Sequence, residues 1–371
     1  MKFIYVSIFL LSMAVLCFEI FLIRFLEITE GVEVTSLVIS LCLLGFSYSG
    51  VFHYLAQKFI DRISHAIFIS YNCYLFSVSV ILCVWVQQSI VVDTGEILWD
   101  YSLLRYLVFD FTVLSLPFFF ASNAIVSILS EQKNTVSKVY AYDLVGAGCG
   151  AVLACALMEI FDIKNCLFIV CGLALLAAEA SRKYYKKPFS YLLSLSTLII
   201  LTICFGLFRL EMSQYKPLSK FLFIPGSKII SQTSSPESHL TVIKNDLVPL
   251  RHAPGLNLFY NGQFPKQKGV FIDGDSFFTY EEDLNLSSKK TFDFSKQTLS
   301  YLPYYIRQNK KCDILQLGLR SSSRLQMANE KNCTSLVVIE PQRSLIELFK
   351  EHNKKIQLSS KKSNLIIKNK S

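Results

Sequence analysis

Two sets of residues have the types and spacings that could do chemistry. The first ends a pair of apolar strands. Asp313-Ile314-Leu315-Gln316-Leu317 runs into Gly318, and Ser335-Leu336-Val337-Val338-Ile339 runs into Glu340, 22 residues after that glycine. A glycine turn lets a ligand approach the backbone, and an acid ending the next strand accepts hydrogen bonds from ribose hydroxyls in nucleoside-binding folds. Gly318 and Glu340 are therefore candidate cofactor-binding residues. The second set sits in apolar surroundings: Glu19 and Arg24, five apart, then Asp110, Asp143 and Glu159. Ionisable groups inside a bilayer are costly, so each is either an interfacial or helix-pairing contact or part of a substrate path or proton relay. Pairing predicts partners on other helices for Glu19 and Arg24.

No metal site is expected, because no CxxC or Cys/His spacing occurs. Nine of the 11 cysteines lie in apolar stretches, with Cys312 and Cys333 left over. Such thiols behave as small hydrophobes, and all are read as free and structural.

The elements that must position these residues divide the chain. Over 371 residues, 52% are hydrophobic and only 18% charged, with a mean hydropathy of +0.41. Residues 1–209 carry a net charge of −1 and residues 210–371 a net charge of +10. That split excludes a single soluble domain, a coiled coil and a disordered chain, and describes an apolar membrane half followed by a basic soluble half. A helix needs about 20 apolar residues to cross a bilayer. Seven stretches qualify, near 3–25, 35–56, 66–91, 104–129, 141–161, 164–181 and 189–208. The first has no small-x-small cleavage site and reads as an uncleaved helix. Basic turns alternate with acidic ones, which puts the N-terminus in the cytoplasm. Seven crossings would leave the soluble half outside; six would follow if 164–181 or a segment near Pro117 falls short. Gly146 and Gly150 form a small-xxx-small pair suited to close helix packing.

In the soluble half, His239–Ile243, Leu256–Tyr260 and Gly269–Ile272 read as strands, with turns at Asn261-Gly262 and Asp273-Gly274. They predict a small antiparallel β domain within 210–300. Residues 301–371 then read as a short helix, a βαβ unit with a polar helix near 322–329, a helix over 344–352 and a loose basic tail. The two apolar strands suggest a parallel sheet covered on both faces. Ending at Ser371, the chain leaves room for at most three such strands, so this half is expected to lean on the membrane half, the β domain or a second copy in a homo-oligomer. Its lysines are scattered without interleaved aromatics, which argues against nucleic acid and for anionic lipid head groups.

Five stretches in order resemble the membrane-anchored spermidine synthase-like proteins, relatives of the polyamine aminopropyltransferases. They are Glu19 with Arg24, Val139–Ala147, Pro249–Leu256, Phe271–Asp275 and Leu315–Pro341. The resemblance implies a multi-span helical membrane domain in the cell's inner (plasma) membrane, then a small β domain and a partial Rossmann-like α/β unit of the methyltransferase type. It also implies an S-adenosylmethionine-type ligand at Gly318, Ser322 and Glu340 and a small polyamine substrate. The family's Gly-x-Gly-x-Gly turn reads Gly318-Leu319-Arg320-Ser321-Ser322 here, and its Asp-Glu…Tyr-His-Glu stretch is not recognisable. The family's catalytic aspartate lies beyond Ser371, so no base can be named. Three functions follow: a spermidine synthase-like membrane protein with weak or no aminopropyltransferase activity, an active transferase, or a transporter or channel using Glu19, Arg24, Asp110 and Asp143.

Overall fold

The computed structural model describes residues 2–89, 99–186, 191–207, 210–281, 294–307, 312–320, 324, 327, 333–353 and 364–368. It is mostly helical and divides into two compact units, Met1–Tyr215 and Lys216–Ser371. In the first unit the long helices are α1 (Lys2–Thr29), α2 (Val38–Leu55), α3 (His65–Ser89), α4 (Leu103–Glu131), α5 (Val136–Ile160), α6 (Ile163–Tyr184) and α7 (Tyr191–Leu207). Among the described residues, the first six are long and apolar enough to cross a membrane. By length and composition these helices are suited to contact with lipid.

α1 is the central helix. Ile8, Leu11, Phe18, Phe21 and Phe25 are fully buried along it. Against α5 it packs backbone to backbone: a Cβ on Gly146 would collide with the Phe9 carbonyl oxygen, and one on Gly150 would stand 2.6 Å from that of Met13. The close packing expected from these two glycines is therefore present, and it lets Cys17 Sγ donate to the Gly150 carbonyl at 3.1 Å.

Cross-helix contacts fix the directions. Tyr5 stacks on Tyr142, Ser12 donates to Asp143 and Cys17 reaches Gly150, so α1 and α5 run parallel. Ser7 Oγ donates to the Ala177 carbonyl at 2.7 Å and Lys183 Nζ lies 4.3 Å above the Phe3 ring, so α6 runs antiparallel to α1. Tyr74 bonds Glu179 and Ser77 bonds the Cys171 carbonyl, which sets α3 antiparallel to α6. α1, α3 and α5 thus run one way and α6 the other.

α7 runs opposite to α6. Ser194 Oγ, near its start, donates to Glu179 Oε1 at 2.5 Å, close to the end of α6. Beyond its last turn, Gln88 Nε2 donates to the Glu211 carbonyl at 3.0 Å and the Ser213 N–H to the Thr29 carbonyl at 2.9 Å. Gln88 and Thr29 lie at the far ends of α3 and α1, so α7 traverses the bundle. The chain leaves this unit at the end opposite its N-terminus. Neither shortfall expected from the sequence is present. α6 has 22 residues, and Pro117 lies inside a continuous 29-residue α4. The described part of α7 covers 17 residues.

The second unit opens with α8 (Pro217–Leu222), whose proline suits a first helical turn. An antiparallel sheet follows in the order β1 (Ser227–Ser234), β2 (His239–Asn245), β3 (Gln267–Ile272) and β4 (Ser276–Glu281). Asp273 and Gly274, at φ of 54° and 75°, make the tight β3–β4 turn expected of Asp-Gly. Asp273 Oδ1 accepts from the His239 N–H at 2.7 Å, and the buried Lys216 donates to the Asp273 carbonyl at 2.6 Å. Next come α9 (Leu302–Arg307), β5 (Cys312–Leu317), β6 (Cys333–Ile339), α10 (Arg343–Asn353) and β7 (Asn364–Lys368). The three strands form a parallel sheet in sequence order, with Cys312 and Cys333 as register partners. One apolar cluster joins both sheets, with Val242, Val270 and Phe278 from the first meeting Leu336, Val338 and Phe349 beside the second.

Three expectations change. Leu256–Tyr260 is a loop, touching Thr298 through one bridge at Leu256. Asn257 Oδ1 accepts from the Phe259 N–H at 3.0 Å, so a side-chain turn wins over the apolar alternation, and Leu258 is 97% exposed. The basic tail holds a strand, β7, paired with β6. Leu315 and Leu317 are exposed, so β5 is covered on one face only. The expected polar helix near 322–329 falls largely outside the described residues, though Arg324 and Met327 are helical.

A polar cleft as the candidate functional site

The residues singled out in the sequence meet different fates. Gly318 and Glu340 come together where β5 and β6 end. Gly318 takes φ of 82°, which glycine tolerates, and its N–H donates to the Ile339 carbonyl at 2.9 Å. Glu340 Oε2 accepts from the Leu319 N–H at 2.7 Å and Oε1 from the Gln342 N–H at 3.1 Å. Glu340 is 3% exposed. A carboxylate that accepts one amide from the Gly318 turn and one from its own turn ties the two strand ends together and already commits both its oxygens. Ser322 lies outside the described residues.

The membrane residues are not gathered into one site. Asp143 takes the Ser12 hydroxyl. Glu19 accepts from Cys42 Sγ on α2 at 3.8 Å. Arg24 is bound to Glu27 on its own helix at 2.6 Å. Asp110 is buried within electrostatic reach of Glu30, with Oδ1 lacking a hydrogen-bond partner among the described residues. Glu30 in turn accepts from Gln87 Nε2 at 2.8 Å. Strung along α1, the contacts at Ser12 and Glu19 lie about 10 Å apart at 1.5 Å per residue, beyond hydrogen-bond reach. Among the described residues no cluster of His, Cys, Asp and Glu could hold a metal.

The site with open chemistry lies elsewhere in the second unit. A cleft of about 320 Å³ is lined by His252, Glu281, Thr298, Ser300, Arg320 and Arg324 among others. Its parts come from four stretches of chain. His252 is clamped by one side chain: its N–H donates to Gln267 Oε1 at 2.9 Å, and its carbonyl accepts from Gln267 Nε2 at 3.1 Å. The His252 ring meets Phe277 edge to face with centroids 4.7 Å apart. Burial holds this imidazole below the usual histidine range, which favours its neutral form. Glu281, 2% exposed, ends β4. Arg320 leaves the Gly318 turn and places its guanidinium 5.9 Å from the centre of the Phe278 ring.

No protein family, curated protein or solved structure matches this chain. What the cleft can do thus follows from its own groups. It offers two guanidinium donors, an imidazole able to give or take a proton, hydroxyls and one buried carboxylate. His252 lies within Pro249–Leu256, a stretch whose residue types alone assign it no role. Nothing local links it to arginines 68 and 72 residues later, and only the fold brings them to one wall.

Proposed function

We propose that the chain is an integral, multi-pass membrane protein of the spermidine synthase-like kind, set in the cell's inner (plasma) membrane, whose soluble part does not carry out aminopropyl transfer. The observation that carries the reading is the closed state of Glu340. Its two oxygens are held by the Leu319 and Gln342 amides. The parallel strands with their glycine turn and acid then keep a Rossmann-like pattern without its ligand cradle. Charge supports a cytoplasmic N-terminus, because the bundle end that holds it also holds Lys58, Arg62, Lys133, Lys138, Arg182 and Lys183. If α7 also crosses the bilayer, the residues after it lie on the side opposite cytosolic sulfonium metabolites.

The test is an aminopropyl-transfer assay. The full chain in phosphatidylcholine nanodiscs receives putrescine and decarboxylated S-adenosylmethionine, and spermidine is measured. No spermidine above the protein-free control is expected. Enzyme-dependent, saturable spermidine formation would overturn the reading.

A further inference from the structure

The substitution that departs from the resembling family's glycine turn gives the cleft its character. Arg320 and Arg324 make no hydrogen bond or ion pair with any described residue, and Arg320 contributes only its contact with the Phe278 ring. The His252 ring nitrogens are likewise unbonded among the described residues, although the His252 backbone is held at both ends. Two guanidiniums and an imidazole face one 320 Å³ space in which Glu281 is the one acid among the lining residues, so positive charge predominates there. Arginine forks match phosphate oxygens, and two forks approaching from different positions suit a tetrahedral group with several oxygens better than a planar carboxylate. A sulfonium or polyamine cation would meet repulsion from both arginines, with Glu281 alone to offset it. The loop delivering Arg320 is fixed by Glu340, which bonds the Leu319 N–H one residue earlier at 2.7 Å. The acid that would serve an adenosyl ligand thus positions an anion donor instead.

We propose that this cleft binds a small organic phosphate, its phosphoryl oxygens held by Arg320 and Arg324 and its ester side turned toward His252. The cavity exceeds inorganic phosphate and accommodates an ester with a few carbon atoms. The same chemistry is offered by a soluble phosphate ester and by a phospholipid head group. The inference stands apart from the reading that the soluble part transfers no aminopropyl group, since a cleft can hold phosphate whether or not that reading holds.

The experiment titrates glycerol 3-phosphate into the full chain in phosphatidylcholine nanodiscs by calorimetry. Saturable binding is expected, weakened at least tenfold by Arg320→Ala with Arg324→Ala and abolished by Arg320→Glu. Both arginines are exposed, and an unchanged thermal transition confirms that the variants fold. Repeating the titration in nanodiscs containing phosphatidylglycerol separates the sources. Lower apparent affinity there assigns the site to a lipid head group, and unchanged affinity assigns it to a soluble ester. Absence of saturable binding in phosphatidylcholine, or equal binding by the double variant, would overturn the proposal.

Discussion

In the helical unit Ser7, Cys17 and Ser77 each spend a donor on the backbone of a facing helix, and Ser12 spends its own on Asp143. In the second unit Arg320, Arg324 and the His252 ring line one cleft and have no hydrogen-bond partner among the described residues. The difference follows from solvent. Lipid offers no partner for a polar group, so these side chains serve best by bonding across to a neighbouring helix, although Asp110 Oδ1 and the Ser127 and Ser181 hydroxyls are buried without a partner among the described residues. At an aqueous surface a guanidinium can remain hydrated until a ligand replaces the water, so free donors cost little and mark a binding site.

The largest effect that would break this contrast is one of sidedness. If α7 crosses the bilayer as it traverses the bundle, alkaline phosphatase fused after Ser371 becomes active in cells, and a green fluorescent protein fused there stays dark. The reverse pattern would place both ends of the chain on one side and remove the argument from metabolite supply.

The next effect is on packing. Gly146→Val drives a side chain into α1 at Phe9, whereas Gly148→Val enters open space on the same helix. The first is expected to cost about 1–3 kcal/mol or more, and the second to stay within about 0.5 kcal/mol. Reversible unfolding of the full chain in mixed micelles measures both. Equal effects would mean that α1 and α5 are not in backbone contact.

A third effect links turn and cleft. Glu340→Ala removes the acceptor of two turn amides at a buried position. Leaving buried amides unpaired costs about 1–3 kcal/mol, and with the Gly318 turn loosened, glycerol 3-phosphate affinity should fall as well. Thermal unfolding and calorimetry on the same sample check this. Wild-type affinity in the variant would show that the acid does not position Arg320.

Much of the helical unit was legible because a bilayer forces composition to follow structure: a run of about 20 apolar residues has few alternatives. Boundaries were less so. α5 starts at Val136, a full turn before the apolar run, since Ser137 and Lys138 are compatible with helix but carry no hydropathy signal. β1 was missed because Ser227, Ser231, Gln232 and Thr233 suit a solvent-facing edge strand and resemble a loop. Leu365-Ile366-Ile367 was hidden by flanking lysines. The glycine turn and Glu340 were legible as a pair, but not that the acid would be spent on its own loop, which depends on backbone direction. The cleft was illegible because its walls are distant in sequence.

The smallest effect concerns pH. The neutral form of His252 is favoured by burial, and Glu281, Arg320 and Arg324 line the same cleft. Protonation adds positive charge, so phosphate binding should tighten as pH falls through the depressed His252 value, below the ordinary value of about 6.5. A partly exposed charge pair is worth about 1 kcal/mol or less, so the gain is at most about fivefold. His252→Gln should flatten the profile measured by calorimetry between pH 5 and 8 with an alkyl sulfonate, whose charge is constant there while the phosphate's second proton titrates near about 6, as the non-titrating control (a probe range of about three units around the usual histidine value). A profile unchanged by the substitution would remove His252 from the site.

The most direct measurement is a paired titration. The full chain in phosphatidylcholine nanodiscs is titrated with decarboxylated S-adenosylmethionine and, in a second cell, with glycerol 3-phosphate. The account predicts saturable heat for the phosphate, lost in the Arg320→Ala, Arg324→Ala double variant, and none for the sulfonium. Saturable binding of the sulfonium with none of the phosphate would contradict it.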